Sequence, residues 1–116
     1  MQKIETWRIK ELSLVLQQMT ELLRQGNNHE WANVFSHFRT ESQNIVTKKE
    51  FDADQLERLI RNIKNCFHNT STLRNLVLSR EGPLSDLDIN QEFLQTKAHL
   101  LKILDDMKER MVEHIH

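Results

Sequence analysis

Ile9-Lys10-Glu11-Leu12-Ser13-Leu14-Val15-Leu16-Gln17-Gln18-Met19-Thr20-Glu21-Leu22-Leu23 decides the fold. Ile9, Leu12, Val15, Leu16, Met19, Leu22 and Leu23 recur at offsets of three and four, which makes one apolar stripe along a helix from Ile4 to about Gln25. Gly26 stands where a left-handed C-cap would end that helix, and Asn27-Asn28 is a turn dipeptide. Asn27 with Glu30 three residues on reads as a capping box for a second helix, whose buried face is Trp31, Val34, Phe35 and Phe38 and which fades between Ser42 and Thr47.

Outward from there the same rules give two more helices. Lys48 to Ala53 is a polar connection, and Asp54 with Glu57 marks a start, the acid also suiting the helix dipole. Leu56, Leu59, Ile60, Ile63 and Phe67 form the face of a helix from Asp54 to Phe67. His68-Asn69-Thr70-Ser71-Thr72 breaks it, because short polar side chains compete with helical backbone bonding. Leu73, Leu76 and Val77 suit one or two further turns before the loop signal Glu81-Gly82-Pro83-Leu84-Ser85-Asp86. Asp88 with Gln91 opens the last helix, which runs to about His114 with Phe93, Leu94, Leu100, Leu101, Leu104, Met107 and Met111 as its face. Connections mostly under ten residues favour antiparallel neighbours.

Composition agrees with this pattern. The 116 residues suit a single domain, 1–116, and two glycines and one proline leave too few turn formers for a many-stranded sheet. Leu, Ile, Val and Phe number 34, enough for a core without a disulfide or metal. One cysteine excludes an internal disulfide and a four-cysteine zinc site. No apolar run approaches the roughly 18 residues of a membrane span and the amino terminus lacks a signal-peptide pattern, so the expectation is a cytoplasmic protein. The fold class is all-α: an antiparallel bundle of about four main helices, plus a short helix before the 80–88 loop.

Leu22-Leu23 and Trp31, then Phe67-His68-Asn69-Thr70-Ser71-Thr72-Leu73-Arg74-Asn75-Leu76-Val77-Leu78, then Asn90 and Phe93 form a pattern over roughly Leu22 to Met107. It resembles a family of short bacterial helical proteins known as a domain of unknown function. That family pairs an early tryptophan with a mid-chain Phe-Gly-Gly-x-Gly-Ser-Leu-Asn-Asp-Leu-Val stretch, and an Asn-x-x-Phe pair opens its last helix. Here His68, Asn69 and Ser71 stand for the turn glycines, and Arg74-Asn75 for its Asn-Asp. Asn can still adopt a left-handed turn conformation, so the resemblance bears on fold more than on mechanism. Small bacterial proteins of this appearance also resemble immunity proteins, which neutralise a cognate toxin delivered by a neighbouring cell, as in contact-dependent growth inhibition.

Signals for chemistry are sparse. Arg61-Asn62 followed by His68, an Arg-x6-His spacing, fits the Arg-x4–6-His motif of a helical ribonuclease class that this chain resembles in size, in which both side chains face the scissile phosphate. Arg24 with His29 and Arg110 with His116 match the same loose pattern, so chance supplies such pairs readily. Cys66 and His68, His114 and His116, and Glu113 with His116 do not assemble the ligand spacing of a zinc site, and surface histidines explain them. Cys66 beside Phe67 reads as a small buried hydrophobe with no base to activate it. Trp31, Phe35, Phe38, Phe67 and Phe93 fall on apolar stripes as core, whereas Trp7 either covers the bundle end or forms an exposed anchor. No catalytic residue, metal ligand or cofactor follows, and enzymatic activity is not expected.

Charge carries more. The near-neutral total of −1 argues against non-specific coating of nucleic acid. It conceals a net +3 over residues 1–80 and a net −4 over 81–116. Glu81, Asp86, Asp88 and Glu92 fall in one stretch without a basic residue. A solvated loop and the first helical turn explain Asp88 and Glu92, and explain Glu81 and Asp86 less well. The favoured expectation is an immunity or inhibitor protein, a monomer or weak homodimer. These four acids would pair with Lys or Arg of a toxin, most simply a nuclease, and occlude its basic active site. The alternatives are a helical ribonuclease toxin using Arg61 and His68, and an adaptor dimerising through Met107 and Met111.

Overall fold

The structure, a computed structural model, describes residues 4–68, 73, 76, 78 and 85–113, with side chains throughout except at 85–87, 112 and 113. Four helices follow one another: α1 (Thr6–Gln25), α2 (His29–Thr47), α3 (Ala53–Asn65) and α4 (Ser85–Glu113). No strand occurs among the described residues. Packing joins α1 to α2, α2 to α3, α3 to α4 and α4 back to α1, while the diagonal pairs stay apart. The result is the expected all-α bundle. Three-residue and five-residue connections turn α2 back on α1 and α3 back on α2. Arg110 meets Glu5 at 3.7 Å, while the start of α4 lies beside the end of α1, so those two helices are also antiparallel.

All seven residues of the α1 stripe are buried, together with Thr20, whose hydroxyl returns a hydrogen bond to the Leu16 carbonyl at 2.8 Å. They share one core with Ala32, Phe35, Phe38 and Ile45 of α2, Leu56, Leu59, Ile60 and Ile63 of α3, and Ile89, Phe93, Leu100, Ile103, Leu104, Met107 and Met111 of α4. Trp31, Val34 and Phe67 are half-buried at its margin. Phe35 stands edge-on to Phe38 with ring centres 5.5 Å apart and lies 6.1 Å from Phe67. Each buried side chain of this size contributes about 1.5–3 kcal/mol of transfer free energy, so the stripes account for the fold's stability. Where α1 and α2 cross, Ser42 is fully buried and donates to the Arg39 carbonyl at 2.7 Å. Its proton is thereby used, so Ser13 donates across the interface to the Ser42 oxygen at 2.5 Å.

The helix ends differ from expectation in instructive ways. Gly26 is not left-handed: it sits at φ −84°, ψ 13°. Asn27 takes the left-handed conformation, at φ 62°. The Asn28 N–H bonds the Leu23 carbonyl at 2.8 Å and the Asn27 N–H bonds Arg24 at 3.2 Å, the paired closure of a Schellman motif. Gly26 is glycine for another reason, since an added Cβ would lie 2.8 Å from the Leu78 Cβ. Asn27 is therefore not the cap of α2. Asn28 is, its side-chain oxygen accepting from the Trp31 N–H at 3.3 Å. Likewise Asp52 with Gln55, not Asp54 with Glu57, opens α3: Asp52 accepts from the Gln55 N–H at 3.0 Å, and the Gln55 side chain is engaged by Lys48. That N–H first, then Lys48, hold the Asp52 carboxyl below its ordinary value. α3 stops at Asn65, and Cys66, Phe67 and His68 continue as turns closed by three-residue hydrogen bonds.

α4 begins at Ser85, three residues before the expected Asp88, so Asp86 falls within the helix. Leu94 is not on its buried face but 61% exposed, whereas Ile89 and Ile103 are buried. A helix packed against α1 on one side and α3 on another buries a wider arc than one stripe predicts. Of the short helix expected near Leu73, only residues 73, 76 and 78 are described: the Leu76 N–H closes a turn on the Leu73 carbonyl at 3.2 Å, and Val77 lies outside the described residues. Leu78 is held by the Asn90 side chain, which accepts from its N–H at 2.7 Å and donates to its carbonyl at 2.8 Å.

Candidate functional site

The acidic start of α4 is helical from Ser85, so Asp88 and Glu92 stand one turn apart, both exposed. Asp86 belongs to the first turn, its side chain outside the described residues, as is the whole of Glu81. The N-terminal end of the helix dipole favours carboxylates here.

Glu92 also borders a groove that charge counting along the chain did not reveal. Gln18, Glu21, Leu22 and Gln25 of α1 face Glu92, Gln95 and Thr96 of α4 across a space of about 250 Å³. Antiparallel packing brings the end of one helix beside the start of the other, so two carboxylates distant in sequence share one cleft. Glu21 accepts from the Gln17 side chain at 3.2 Å. Neither Glu21 nor Glu92 forms an ion pair among the described residues, and no lysine or arginine lines the groove. Leu22, buried, supplies an apolar wall. Carboxylates with amides at the edge and a hydrocarbon wall suit a lysine or arginine side chain, whose stem packs while its charged end is hydrogen-bonded.

Sequence reasoning missed Glu21, Gln18, Gln25, Gln95 and Thr96. The signal was available: Gln18, Glu21 and Gln25 recur at offsets of three and four along one edge of the α1 stripe, and Glu92, Gln95 and Thr96 do so on α4.

Elsewhere the ionisable groups are dispersed. Glu5 pairs with Arg8 at 2.8 Å, and its own backbone N–H, then Arg8 and Arg110, hold its carboxyl below the ordinary value. Glu11 meets His99 at 3.4 Å, Glu41 meets His37 at 3.1 Å, and Lys64 meets Asp105 at 2.5 Å. Arg61 and His68 are both exposed, His68 beyond the end of α3, and no hydrogen bond or ion pair joins either side chain to another among the described residues. His114 and His116 lie outside the described residues. Among those described, no group of three His, Cys, Asp or Glu side chains gathers as metal ligands. Cys66 is half-buried rather than buried, its thiol leaning on the Asn62 carbonyl at 3.4 Å, and burial pushes its pKa up, away from thiolate chemistry. Met107 and Met111 are buried inside the bundle, so a dimer formed through them would require the core to open. Trp7 is exposed, with the Arg8 guanidinium 4.3 Å from its ring centre. No described helix is long and apolar enough to cross a membrane.

No family model, no curated protein and no solved structure matches the chain.

Proposed function

We propose that the protein is an immunity or inhibitor protein, acting as a cytoplasmic monomer or weak homodimer. In this reading it binds a cognate bacterial toxin and occludes the basic active site of that toxin, a nuclease. The observation that carries this reading is the acidic groove between α1 and α4, lined by no cation among the described residues, with Glu21 and Glu92 on its two walls and Asp88 one turn away. A nuclease cleft is basic because it holds phosphates, and a surface that offers carboxylates without cations competes for the same lysines and arginines. Exposed pairs alone contribute only about 0–1 kcal/mol each. Affinity then requires burial of the pairs against the Leu22 wall, and the long-range field chiefly raises the association rate. Asp86 and Glu81 would extend the contact.

The test is co-purification with the product of the adjacent upstream gene, and protection of cells that express that product. Glu21→Lys with Glu92→Lys should lower the association rate at least about tenfold at low salt while the melting temperature stays near the parent value. Absence of binding, or protection unaffected by the double reversal, would overturn the proposal. Toxicity of the chain itself, relieved by His68→Ala, would replace it with the ribonuclease reading.

A further inference from the structure

A second groove lies where α1 packs against α2, and its charge is the reverse of the first. It encloses about 610 Å³, and Lys10, Leu14, Arg39 and Val46 are among its lining residues. Leu14 is 61% exposed although Leu12, Leu16, Leu22 and Leu23 of the same helix are buried. A single exposed leucine carries no meaning. Leu14, however, faces half-buried Val46 across the groove, and Trp7 stands two turns earlier on the same face of α1.

Among the described residues, Lys10 and the half-buried Arg39 form no ion pair. A guanidinium partly withdrawn from water and lacking a carboxylate is a ready site for one supplied from outside. Beneath it, the Ser13–Ser42 hydrogen bond fixes the spacing of the helices.

We propose that this groove receives an amphipathic helix of a partner protein, with acidic residues flanking its apolar face. A leucine-sized side chain enters between Leu14 and Val46, and carboxylates one turn to either side pair with Lys10 and Arg39. This is helix-in-groove recognition, in which apolar anchors supply affinity and flanking charges set orientation. Two cations over an apolar floor are too few for a nucleic-acid track, which needs many phosphate contacts. The proposal does not rest on the acidic groove, although the two adjoin: Gln17 of this groove donates to Glu21 of that one at 3.2 Å.

The experiment titrates the isotope-labelled full chain with a capped synthetic helix of about 18 residues, leucines at i, i+3 and i+7 flanked by glutamates, and follows backbone amide shifts. Saturable shifts confined to residues around Lys10–Gln17 and Arg39–Thr47 are expected. Lys10→Glu with Arg39→Glu should weaken the complex at least about tenfold, and Leu14→Glu should abolish it, with helix content unchanged in both. No saturation, shifts on another face, or equal affinity for a lysine-flanked version would overturn the proposal. So would binding of phosphatidylglycerol–phosphatidylcholine vesicles in place of the peptide, or concentration-dependent shifts of these residues in the chain alone, which would assign the face to a membrane or to a second copy.

Discussion

Gly26→Ala probes the approach of Leu78 to the end of α1. At φ −84°, ψ 13° an alanine meets no left-handed strain. By itself the substitution would stabilise the protein by about 0.4–1 kcal/mol through the unfolded chain's lost freedom. Against that stands Leu78: the new Cβ would lie 2.8 Å from its Cβ, 2.9 Å from its Cδ2 and 3.1 Å from its Cγ. Carbon atoms in good contact stand about 3.5–4.0 Å apart. Leu78 is only 1% exposed, and its N–H and carbonyl are both bonded to Asn90, so it yields only by loosening that clamp. Overpacking of this kind costs about 1–3 kcal/mol, so the net loss reaches at most about 2.6 kcal/mol, with a central value of about 1.3 kcal/mol and a melting temperature lower by roughly 5 °C. Thermal and urea denaturation followed by circular dichroism measures it. In a Leu78→Gly background all three contacted atoms are gone, and the same substitution should become neutral or stabilising. A Gly26→Ala protein as stable as its parent would refute the seat of Leu78 on Gly26.

Three further outcomes follow from the same geometry. Asn90→Ala strips both backbone groups of Leu78 of their partner and should cost about 1–3 kcal/mol, with faster exchange of the Leu78 amide; unchanged exchange would count against the clamp. Asp52 has a lowered pKa in the folded state, so its contribution is complete above the ordinary aspartate value and disappears as pH falls through the lower folded value. Asp52→Asn, which retains a cap acceptor, should flatten that part of the acid limb of a stability-versus-pH curve, and an unaltered limb would exclude Asp52 as its source. Leu94→Gln should change stability by less than about 0.5 kcal/mol and Ile103→Ala should lower it by about 2–4 kcal/mol, a contrast whose reversal would mean that α4 is rotated from its described face.

The helices were legible in the sequence because apolar spacing is a property of each segment alone: every residue of the α1 stripe is buried. The caps were less so. Asn27 and Asn28 are chemically the same, so residue type alone does not tell that Asn27 turns left-handed and Asn28 caps. The same limit applied to α4, where a single stripe placed Leu94 inward and overlooked Ile103, since two neighbouring helices share its buried arc. Of the candidate acids, Asp88 and Glu92 were readable as a local cluster, and the partner wall with Glu21 was not, because only antiparallel packing brings it near.

The Leu78 clamp also bears on the order in which the protein assembles. The α1–α2 pair joins segments separated by three residues and needs little loop closure, so it is suited to form early. The seat of Leu78 needs the finished α1–α2 turn on one side and Asn90 of α4 on the other. A contact that needs two pre-built elements is expected to form after the folding barrier, so its loss should speed unfolding more than it slows folding. Substitution at Gly26, Leu78 or Asn90 should then shorten the lifetime of the folded state more than it changes how quickly that state is reached.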